Sequence, residues 1–594
     1  MLILFLPQIF HTLWRARVAC FWPIWISTTL VVATCAGWAV WRGDFPAAAT
    51  ACEPEKAPSS PGRVSQRIWP RSAVPALVFL SLFLLCYIAV TLVWEDFAYY
   101  DESAFTLFTL AGRNFGPPIW RELGRFFPLG HQEFNLIRYF TSTVVGYHLF
   151  PIAQLLVLSC VLLALDDELS MTARAAFTAV VLTSTGVVYV FTGLFYPERN
   201  VVFWLACLIF CMKRFDRNLA VSWAVAATVC AQIMIYYKEP AFLLLVTFAA
   251  SRLVFRSRTS QPKGGLRSLL RHKASSLDLC LCFVGGLFFL YYLAAMFPHL
   301  NKQYAEQLAM SLQETILFYL KLDLLAWLFA VVVLRRIYLI LRRRVQPSQL
   351  WDALALGGLT YFVAYLYLRL PAVYYLAPVD LIAVLYLGRL TLRAWEPMRL
   401  RTKAAALVLV VVVLVQYFSF SALRLFERKN VIHAKAELAS VVKTQYRSDT
   451  LNPRRLFFPF ATPFVIMEFG SYLHYRGVPV EGAPDESAGV RKVQMVSKVI
   501  ANDGPCMDYR SLICHAGSQP DPGDLVIVLP DDNAPSARTT PYLDGGSLLF
   551  SYEPYPPIPH WLFPVIGRLG FALPESAHHE IPDRWLHASV IEWK

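Results

Sequence analysis

Four carboxylates lie within eight residues of the segment WEDFAYYDESAF (94–105): Glu95, Asp96, Asp101 and Glu102. A carboxylate can act as a general base that deprotonates an attacking hydroxyl group. Acidic side chains at a membrane surface are costly to maintain, so they indicate a functional site by default. The alternative is that they mark the point where a helix leaves the membrane. We favour that interpretation for Glu95, and a chemical role for Asp101 and Glu102, which lie among aromatic residues.

The connection that carries these acids, residues 95–142, holds further groups suited to a lipid headgroup. Apolar residues within 105–111 predict an amphipathic helix lying in the membrane interface. Arg125 and Arg138 are of the type that holds a phosphate leaving group through charge-assisted hydrogen bonds. For any single arginine, contact with lipid headgroups is the more frequent role. His131 is likewise more often a satisfied surface histidine than a ligand.

Two later segments place charges at predicted helix ends. They are Glu198-Arg199 in YPERN and Lys238-Glu239 in YYKEP. Each could be a local ion pair of little functional weight. Glu198 and Glu239 could instead orient a sugar or an acceptor, and the sequence leaves both interpretations open.

The elements that must position these residues follow from the composition. The chain has 594 residues, of which 57% are hydrophobic and 16% charged, and a soluble protein of this size could not solvate such a surface. The formal net charge of +13 would suit nucleic acid. However, Lys and Arg are concentrated in short loops between apolar runs, which is typical of a polytopic membrane protein. We predict a multi-pass protein in the lipid bilayer, with no nucleic-acid partner.

Apolar runs of about 20 residues predict a bundle of about 11 to 13 transmembrane helices. They lie near 21–41, 73–94, 143–165, 175–196, 199–212, 219–237, 240–256, 277–297, 315–334, 351–368, 371–388 and 404–425. The loops 251–276, 334–348 and 388–403 hold seven, five and five Lys or Arg, whereas 95–142 holds six acids and four arginines. Because positive charge stays on the cytoplasmic side, the segments WEDFAYYDES, YPERN and YYKEP and the residue Arg369 face outward. The acidic candidates then share one side, as a single external site requires.

Three regions are predicted along the chain. Residues 1–72 hold an extra hydrophobic segment and a cytoplasmic linker, and whether 1–41 crosses the membrane is open. Residues 73–426 form the transmembrane catalytic domain. Residues 427–594 contain no spanning run and form a soluble α/β domain on the outer side. Its strand-like runs are DLVIVLP (524–530), SLLFSY (547–552) and ASVIEW (588–593).

Two cysteines lie in this last region, Cys506 and Cys514. An outer location is oxidising, which makes a disulfide between them plausible. Two free buried thiols are the alternative that the sequence leaves open.

The motif DESAF (101–105), followed by AGRNFG (111–116), resembles the opening of the GT-C integral-membrane glycosyltransferases. It is most similar to the group with the protein O-mannosyltransferases and the lipid A aminoarabinose transferase, which place an Asp-Glu pair in the first outer loop. The segment RLPAVYYLAPVDLIAVL (369–385) resembles a late motif of that group. The chain departs from the pattern at RFFPL (125–129), where the lipid A transferases have Lys-Pro-Pro-Leu, and in its extra N-terminal segment.

The resemblance implies inverting transfer of a sugar from a polyprenyl-phosphate donor to an envelope acceptor, on the periplasmic face of a bacterial inner membrane. Asp101 matches the group's proposed catalytic carboxylate, with Glu102 beside it and Asp96 as an alternative base. The late motif, which is thought to lie near the donor phosphate, is matched by Arg369, Tyr374 and Tyr375. No Asp-x-Asp sequence is present, so a divalent cation is possible but is not indicated.

Two other functions remain as alternatives. A transporter or flippase for a lipid-linked saccharide would need charges within the spans and broken helices. The main charges of this kind are Asp323 and Asp380, with Lys321 as a potential partner of Asp323. A non-catalytic assembly subunit would use the outer domain for docking and would not need Asp101.

Overall fold

The computed structural model describes most of the membrane region and the centre of the C-terminal region. The described residues are 21–42, 73–120, 124–260, 273–296, 310–448, 455–483, 492–499, 504–505, 512–530, 542, 544–552 and 588–594. The predicted linker beyond Arg42 and Cys506 lie outside these residues, as does the side chain of Asp101.

The described chain before residue 450 is almost entirely helical. Its helices are α1 (Phe21–Arg42), α2 (Val74–Leu92), α3 (Tyr100–Leu110), α4 (Gln132–Ile137), α5 (Val144–Leu165), α6 (Met171–Thr183), α7 (Thr185–Thr192), α8 (Pro197–Asn218), α9 (Val221–Tyr237), α10 (Ala241–Ser260), α11 (Lys273–Met296), α12 (Leu312–Leu322), α13 (Leu324–Leu341), α14 (Trp351–Leu368), α15 (Ala377–Trp395) and α16 (Leu400–Ser448). A short 3₁₀ helix, Val373–Leu376, precedes α15. Two short strands, β1 (Ile119–Trp120) and β2 (Arg125–Phe126), pair antiparallel in the first connection.

Eight described helices are long and apolar enough to cross a membrane, and α6 with α7, bent by 69°, makes a ninth when the two count as one span. The remaining predicted runs correspond to α8, α9 and α10. The helix α9 has 17 residues, and α8 and α10 carry charged residues toward their ends. The multi-pass helical bundle is therefore confirmed.

The observed helix that spans the membrane here has different bounds from the predicted run 315–334. The chain breaks at Asp323, and the span is α13, about nine residues further along. Asp323 has non-helical dihedral angles, and its carboxylate accepts a hydrogen bond from the Ala326 amide at 3.0 Å. An N-cap of this kind starts a new helix, because it satisfies an amide that has no partner within the helix.

The last helix of the bundle, α16, has 49 residues. At about 1.5 Å per residue it is roughly 70 Å long, more than twice the apolar thickness of a bilayer. It continues without interruption through the predicted boundary at residue 427. The helix thus joins the membrane bundle to the C-terminal region as one rigid element.

The described C-terminal region forms a mixed sheet with one helix. Its elements are β3 (Leu456–Phe458), α17 (Pro463–Tyr475), β4 (Met495–Ser497), β5 (Gly504–Pro505), β6 (Ile513–Ala516), β7 (Leu525–Val528), β8 (Gly546–Ser551) and β9 (Ser589–Trp593). The strand order is β5-β6-β4-β3-β7-β9-β8, with a parallel centre from β6 to β7 and antiparallel strands at both sides. The α/β fold is confirmed, and all three strand-like runs are strands.

The first connection shares an apolar core with the C-terminal region. Phe97 and Leu107 belong to the same buried cluster as Phe469 and Leu473 of α17, and α3 packs against α17. The predicted segment forms a helix, α3, whose Leu107 packs in this shared core. The C-terminal region thereby fixes the position of the first loop. The location of α3 in the membrane interface stays a prediction.

Candidate active site at one end of the bundle

The predicted site segments lie together at one end of the bundle. We call it the outer end, after the orientation predicted from the loop charges, and define it by Glu102, Glu198 and Lys238. The opposite inner end is defined by Asp166, Arg252 and Asp352.

Glu102 lies in the first turn of α3 and is buried. Its carboxylate accepts two hydrogen bonds from the Arg428 guanidinium, at 2.7 and 2.8 Å, and one from the Leu194 amide at 2.7 Å. Such a two-pronged pair fixes the geometry of both partners. Glu102 therefore holds the start of α3, which also carries Asp101, against α16.

Glu95 lies in the turn after α2 and contributes to the same network. Its carboxylate pairs with Arg428 and Lys429, and the imidazole of His148 lies 3.2 Å away. Although burial acts to raise it, Arg428 and His148 lower the pKa of Glu95 to about 2. Glu95 marks the end of a helix, as predicted, but its side chain is buried.

The donor atoms of Glu95, Glu102 and His148 lie within 4.8 Å of one another, an arrangement that could hold a metal ion. However, Arg428 bonds to both carboxylates, and Lys429 supplies a second positive charge. Two carboxylates and two cations balance without a metal. These residues fit a positioning network better than a metal centre.

Asp96, the alternative base, faces the C-terminal region. Its carboxylate accepts hydrogen bonds from the Tyr472 hydroxyl at 2.5 Å and from Arg476 at 3.1 Å, both at the end of α17. Both bonds are to Oδ2, and Oδ1 accepts a hydrogen bond from the Phe97 amide at 2.7 Å, so both oxygens have partners. This arrangement favours a role for Asp96 in docking the C-terminal region to the first loop.

Ion pairs between distant segments build the rest of the outer end. Lys238 pairs with Glu198 at 2.6 Å, and Arg125 pairs with Glu239 at 3.2 Å. The Phe126 amide also donates to Glu239, at 2.7 Å. Glu198 and Glu239 therefore form ion pairs with residues of other segments and not with their sequence neighbours Arg199 and Lys238.

Glu198 is completely buried, and Lys238 is nearly so. Within the described part of the chain, neither carboxylate oxygen of Glu198 has a hydrogen bond of normal geometry. The hydroxyls of Tyr361 and Tyr365 are also buried, and they face one another without a bond of normal geometry. Buried polar groups are normally hydrogen-bonded, so these groups keep hydrogen-bonding capacity that the described residues do not use.

The late motif contributes aromatic walls. Tyr375 stacks on Tyr365 with ring centroids 4.6 Å apart, and its ring lies 4.7 Å from the Lys238 ammonium. Tyr374 contacts the rings of Tyr189 and Tyr196 at 5.3 and 4.9 Å. Both predicted tyrosines thus lie at the outer end.

A small cleft of about 10 Å³ lies beside these tyrosines. Its lining includes Tyr99, Tyr189, Tyr196, Arg424 and Arg428. Aromatic faces and guanidinium groups are the surfaces that bind sugars and phosphates in proteins. The cleft adjoins α3 through Tyr99, the N-cap residue of that helix.

His131 and Glu133 lie close to the charged side chains of the outer end. The His131 ring stacks on Phe195 at 3.9 Å. Burial, followed by the charges of Lys238, Arg199 and Arg125, holds the pKa of His131 well below its usual range, so the ring is neutral. Burial raises the pKa of Glu133, although Arg199, whose guanidinium donates to it at 3.0 Å, opposes the rise.

Two predicted phosphate-binding arginines lie away from the buried pairs. Arg138 donates to the carbonyl oxygens of Thr109 and Arg113, at 3.2 and 3.0 Å, and so caps the C-terminal end of α3. Arg369 follows α14 in a left-handed conformation with φ of 55°, and its side chain is exposed. These positions favour a structural role for Arg138 and leave Arg369 accessible from outside the bundle.

Arg428 and Lys429 are the functional candidates that sequence reasoning missed. They follow the last apolar run, where the predicted boundary at 427 assigned them to the soluble domain. The signal that could have found them is the spacing of Arg424 and Arg428, four residues apart and therefore on one face of a helix that continues outward.

Cys514, in β6, forms a disulfide bond. Its predicted partner Cys506 lies outside the described residues. The pairing between the two stays a prediction.

Comparison with known proteins finds likeness only among solved structures. No protein-family model matches the sequence, and no curated protein matches it. The structure is similar to ArnT from Cupriavidus metallidurans bound to undecaprenyl phosphate, at 13% identity and a TM-score of 0.44, over 88% of this chain and 98% of that chain. It is also similar to the Archaeoglobus fulgidus oligosaccharyltransferase in complex with Zn and sulfate, at 10% identity and a TM-score of 0.35, over 66% of this chain and 61% of that chain. Both are distant likenesses of overall fold.

Proposed function

We propose that this protein transfers a sugar from a polyprenyl-phosphate donor to an acceptor in the cell envelope, at the outer face of a bacterial inner membrane. The observation that carries the proposal is the cleft lined by Arg424, Arg428 and tyrosines, which adjoins the helix bearing Asp101. Further support comes from the sequence resemblance to GT-C glycosyltransferases. It also comes from Glu198 of the outer end, whose buried carboxylate has no hydrogen bond of normal geometry among the described residues.

In the proposed reaction, Asp101 accepts the proton of an acceptor hydroxyl. The hydroxyl oxygen then bonds to the anomeric carbon of the sugar while the bond from that carbon to the phosphate oxygen breaks. Polyprenyl phosphate leaves with the bonding electrons, and the anomeric configuration inverts. A general base of this kind contributes about 10²- to 10⁴-fold to the rate.

Other residues of the site position these groups. Glu102 orients α3 through Arg428, and Asp96 fixes the loop against α17. We assign the phosphate to Arg125 and Arg424, with Arg369 as a further candidate at the entrance.

Sugar or acceptor hydroxyls are assigned to Glu198, Glu239, Tyr374 and Tyr375. His131, which is neutral and stacked, supports the wall behind them. If Arg369→Ala leaves the apparent affinity for the donor unchanged, that arginine has no part in phosphate binding.

A flippase remains the second candidate, because the bent pair α6 and α7 and the buried acids Asp323 and Asp380 are features that transporters also use. The two functions differ in a direct measurement. A flippase moves labelled lipid-linked sugar across a vesicle membrane without forming a new glycosidic bond.

The deciding experiment uses the full chain reconstituted in lipid, with radiolabelled polyprenyl-phosphate sugars and an envelope extract as the source of acceptor. We expect wild-type protein to transfer label and Asp101→Asn to lose at least about 100-fold of that activity. Asp167→Asn, at an exposed inner-end carboxylate paired with Arg217, is the matched control and should retain activity. Full activity in Asp101→Asn would remove the base from Asp101, and lipid crossing without transfer would favour the flippase.

A further inference from the structure

Three interruptions of helical structure meet inside the bundle. The first is Ser184, between α6 and α7, and the second is Asp323, between α12 and α13. The third is the 3₁₀ helix before α15, whose first turn carries Asp380. Interrupted helices with polar ends turned inward are the usual way in which membrane proteins build ion sites.

Tyr417 of α16 joins the two acids. Its hydroxyl donates to Asp380 Oδ1 at 3.0 Å and lies 3.4 Å from Asp323 Oδ1. The two carboxyl groups are also within hydrogen-bonding reach of one another. All three side chains are buried.

The cluster has acceptor atoms to spare. Within the described residues, Asp323 Oδ2 and Asp380 Oδ2 lack a hydrogen bond of normal geometry, although the two carboxyl groups lie within reach of one another, and neither acid has an ion pair with a basic side chain. The Ser184 hydroxyl is fully buried, faces Asp380 and likewise lacks a bond of normal geometry. Gly186 gives the carboxylate room, because a Cβ there would lie 3.1 Å from Asp380 Oδ2.

Charge balance indicates what is missing. The N-terminal ends of α7, α13 and α15 point at the cluster, and each contributes roughly half a positive charge. Two carboxylates carry two negative charges against roughly 1.5 positive charges from these three ends, so about half a charge stays unbalanced, and one bound monovalent cation or proton is enough to offset it. Carboxylate, phenol and hydroxyl oxygens are ligands for a proton or a hard cation.

We propose that Asp323, Asp380, Tyr417 and Ser184 form a binding site for one monovalent cation, at which Na⁺ and a proton compete. The site is independent of the proposed transferase activity, since none of its residues belongs to the candidate active site. It lies directly behind the turn that carries Tyr374 and Tyr375.

The inner end provides a matched control. Asp352 is also buried and accepts a hydrogen bond from a tyrosine, Tyr386, at 2.7 Å. Its charge is balanced by Arg336, which lies 3.2 Å from Oδ2. An Asp–Tyr pair with its own arginine has no need of a cation.

The first measurement is the melting temperature of the full chain in detergent, in sodium chloride against choline chloride of equal concentration. A cation that binds only the folded state raises the melting temperature. We expect wild-type protein and Asp352→Asn to melt higher in sodium chloride, and Asp380→Asn and Tyr417→Phe to melt equally in the two salts. Equal melting of wild-type protein in both salts, or a sodium effect retained in both variants of the cluster, would overturn the proposal.

The second measurement tests competition with a proton. A hydrophobic carbodiimide adds covalently to protonated carboxyl groups in apolar surroundings, giving an acylurea without a leaving group, and peptide mass spectrometry locates the adduct. We expect adducts at Asp323 or Asp380 in choline chloride, several-fold fewer in sodium chloride, and none at Asp352. Adducts at the two acids that sodium chloride does not reduce would show that the site holds a proton only and would contradict competition.

Discussion

The two ends of the bundle use the same residue types in different ways. At the inner end, Arg252 donates to Asp216 at 2.6 and 2.9 Å and to Asp278 at 2.7 Å, and Arg256 donates to the same two carboxylates. At the outer end, Glu198 has an ammonium partner but no hydrogen bond of normal geometry among the described residues.

This difference separates structural charges from functional ones. A buried charge that is fully paired and hydrogen-bonded is held in a single arrangement, and its removal is a matter of folding. A buried charge with acceptor capacity left over costs free energy in the unliganded protein. Such a cost is typical of binding sites, because a ligand supplies the missing bonds.

The largest expected effect is on the inner network. Arg252→Met leaves two carboxylates short of their principal partner, because Arg256 alone cannot bond all of their oxygens. Removing one member of a buried ion pair costs about 3–5 kcal/mol. We expect a strong loss of folded protein, measured as melting temperature and yield in detergent. Transfer activity per folded molecule should be unchanged, and a selective loss of activity would show that the inner end has a functional role.

Much of the fold could be predicted from the sequence, because the bilayer imposes a simple rule on it. All but two of the predicted apolar runs correspond to one helix each, and three strand-like runs are strands. The run 175–196 is divided between α6 and α7, and the run 315–334 between α12 and α13. The break at Asp323 was not predicted, since the apolar run continues on both sides of it and only the local N-cap geometry stops the helix.

The site was predictable in its location and less so in its contacts. Glu198 and Lys238 are 40 residues apart in the chain, and nothing local to either residue shows that they pair. Arg428 was missed for a similar reason. Its partners Glu95 and Glu102 lie more than 300 residues earlier, and only the length of α16 brings it back to the first loop.

A pair of tyrosine substitutions gives a finer test of the comparison. At the inner end, Tyr386→Phe removes a hydroxyl that donates to Asp352 at 2.7 Å. Such a bond to a charged group contributes about 1.5–3 kcal/mol. At the outer end, Tyr365→Phe removes a buried hydroxyl that faces only the neutral Tyr361 hydroxyl, without a bond of normal geometry among the described residues, so stability should change little.

Transfer activity should respond to the two tyrosine substitutions in the opposite way from stability. We expect Tyr365→Phe to weaken apparent donor or acceptor affinity, while Tyr386→Phe leaves the affinity unchanged. Unfolding in detergent and initial transfer rates over a range of donor concentrations measure the two effects. A destabilised Tyr365→Phe protein with normal affinity would mean that its hydroxyl is a structural group.

The smallest effect concerns pH and two acids of the outer end. The pKa of Glu95 is lowered from 4.5 to about 2, with Arg428 and His148 overcoming the effect of burial. A lowered pKa gives stability that is fully present above pH 4.5 and is lost as the pH falls toward 2.

Burial raises the pKa of Glu133, so its contribution to stability has the opposite sign and is lost as the pH rises through that raised value. From about pH 5 to 8 we therefore expect Glu95 to add no pH dependence. Below about pH 4.5, melting curves of Glu95→Gln should fall less steeply with acid than those of wild-type protein. Glu133→Gln should lack the loss of stability that Glu133 gives wild-type protein as the pH rises above 4.5. Parallel curves for all three proteins would mean that neither acid is held by the network that the structure shows.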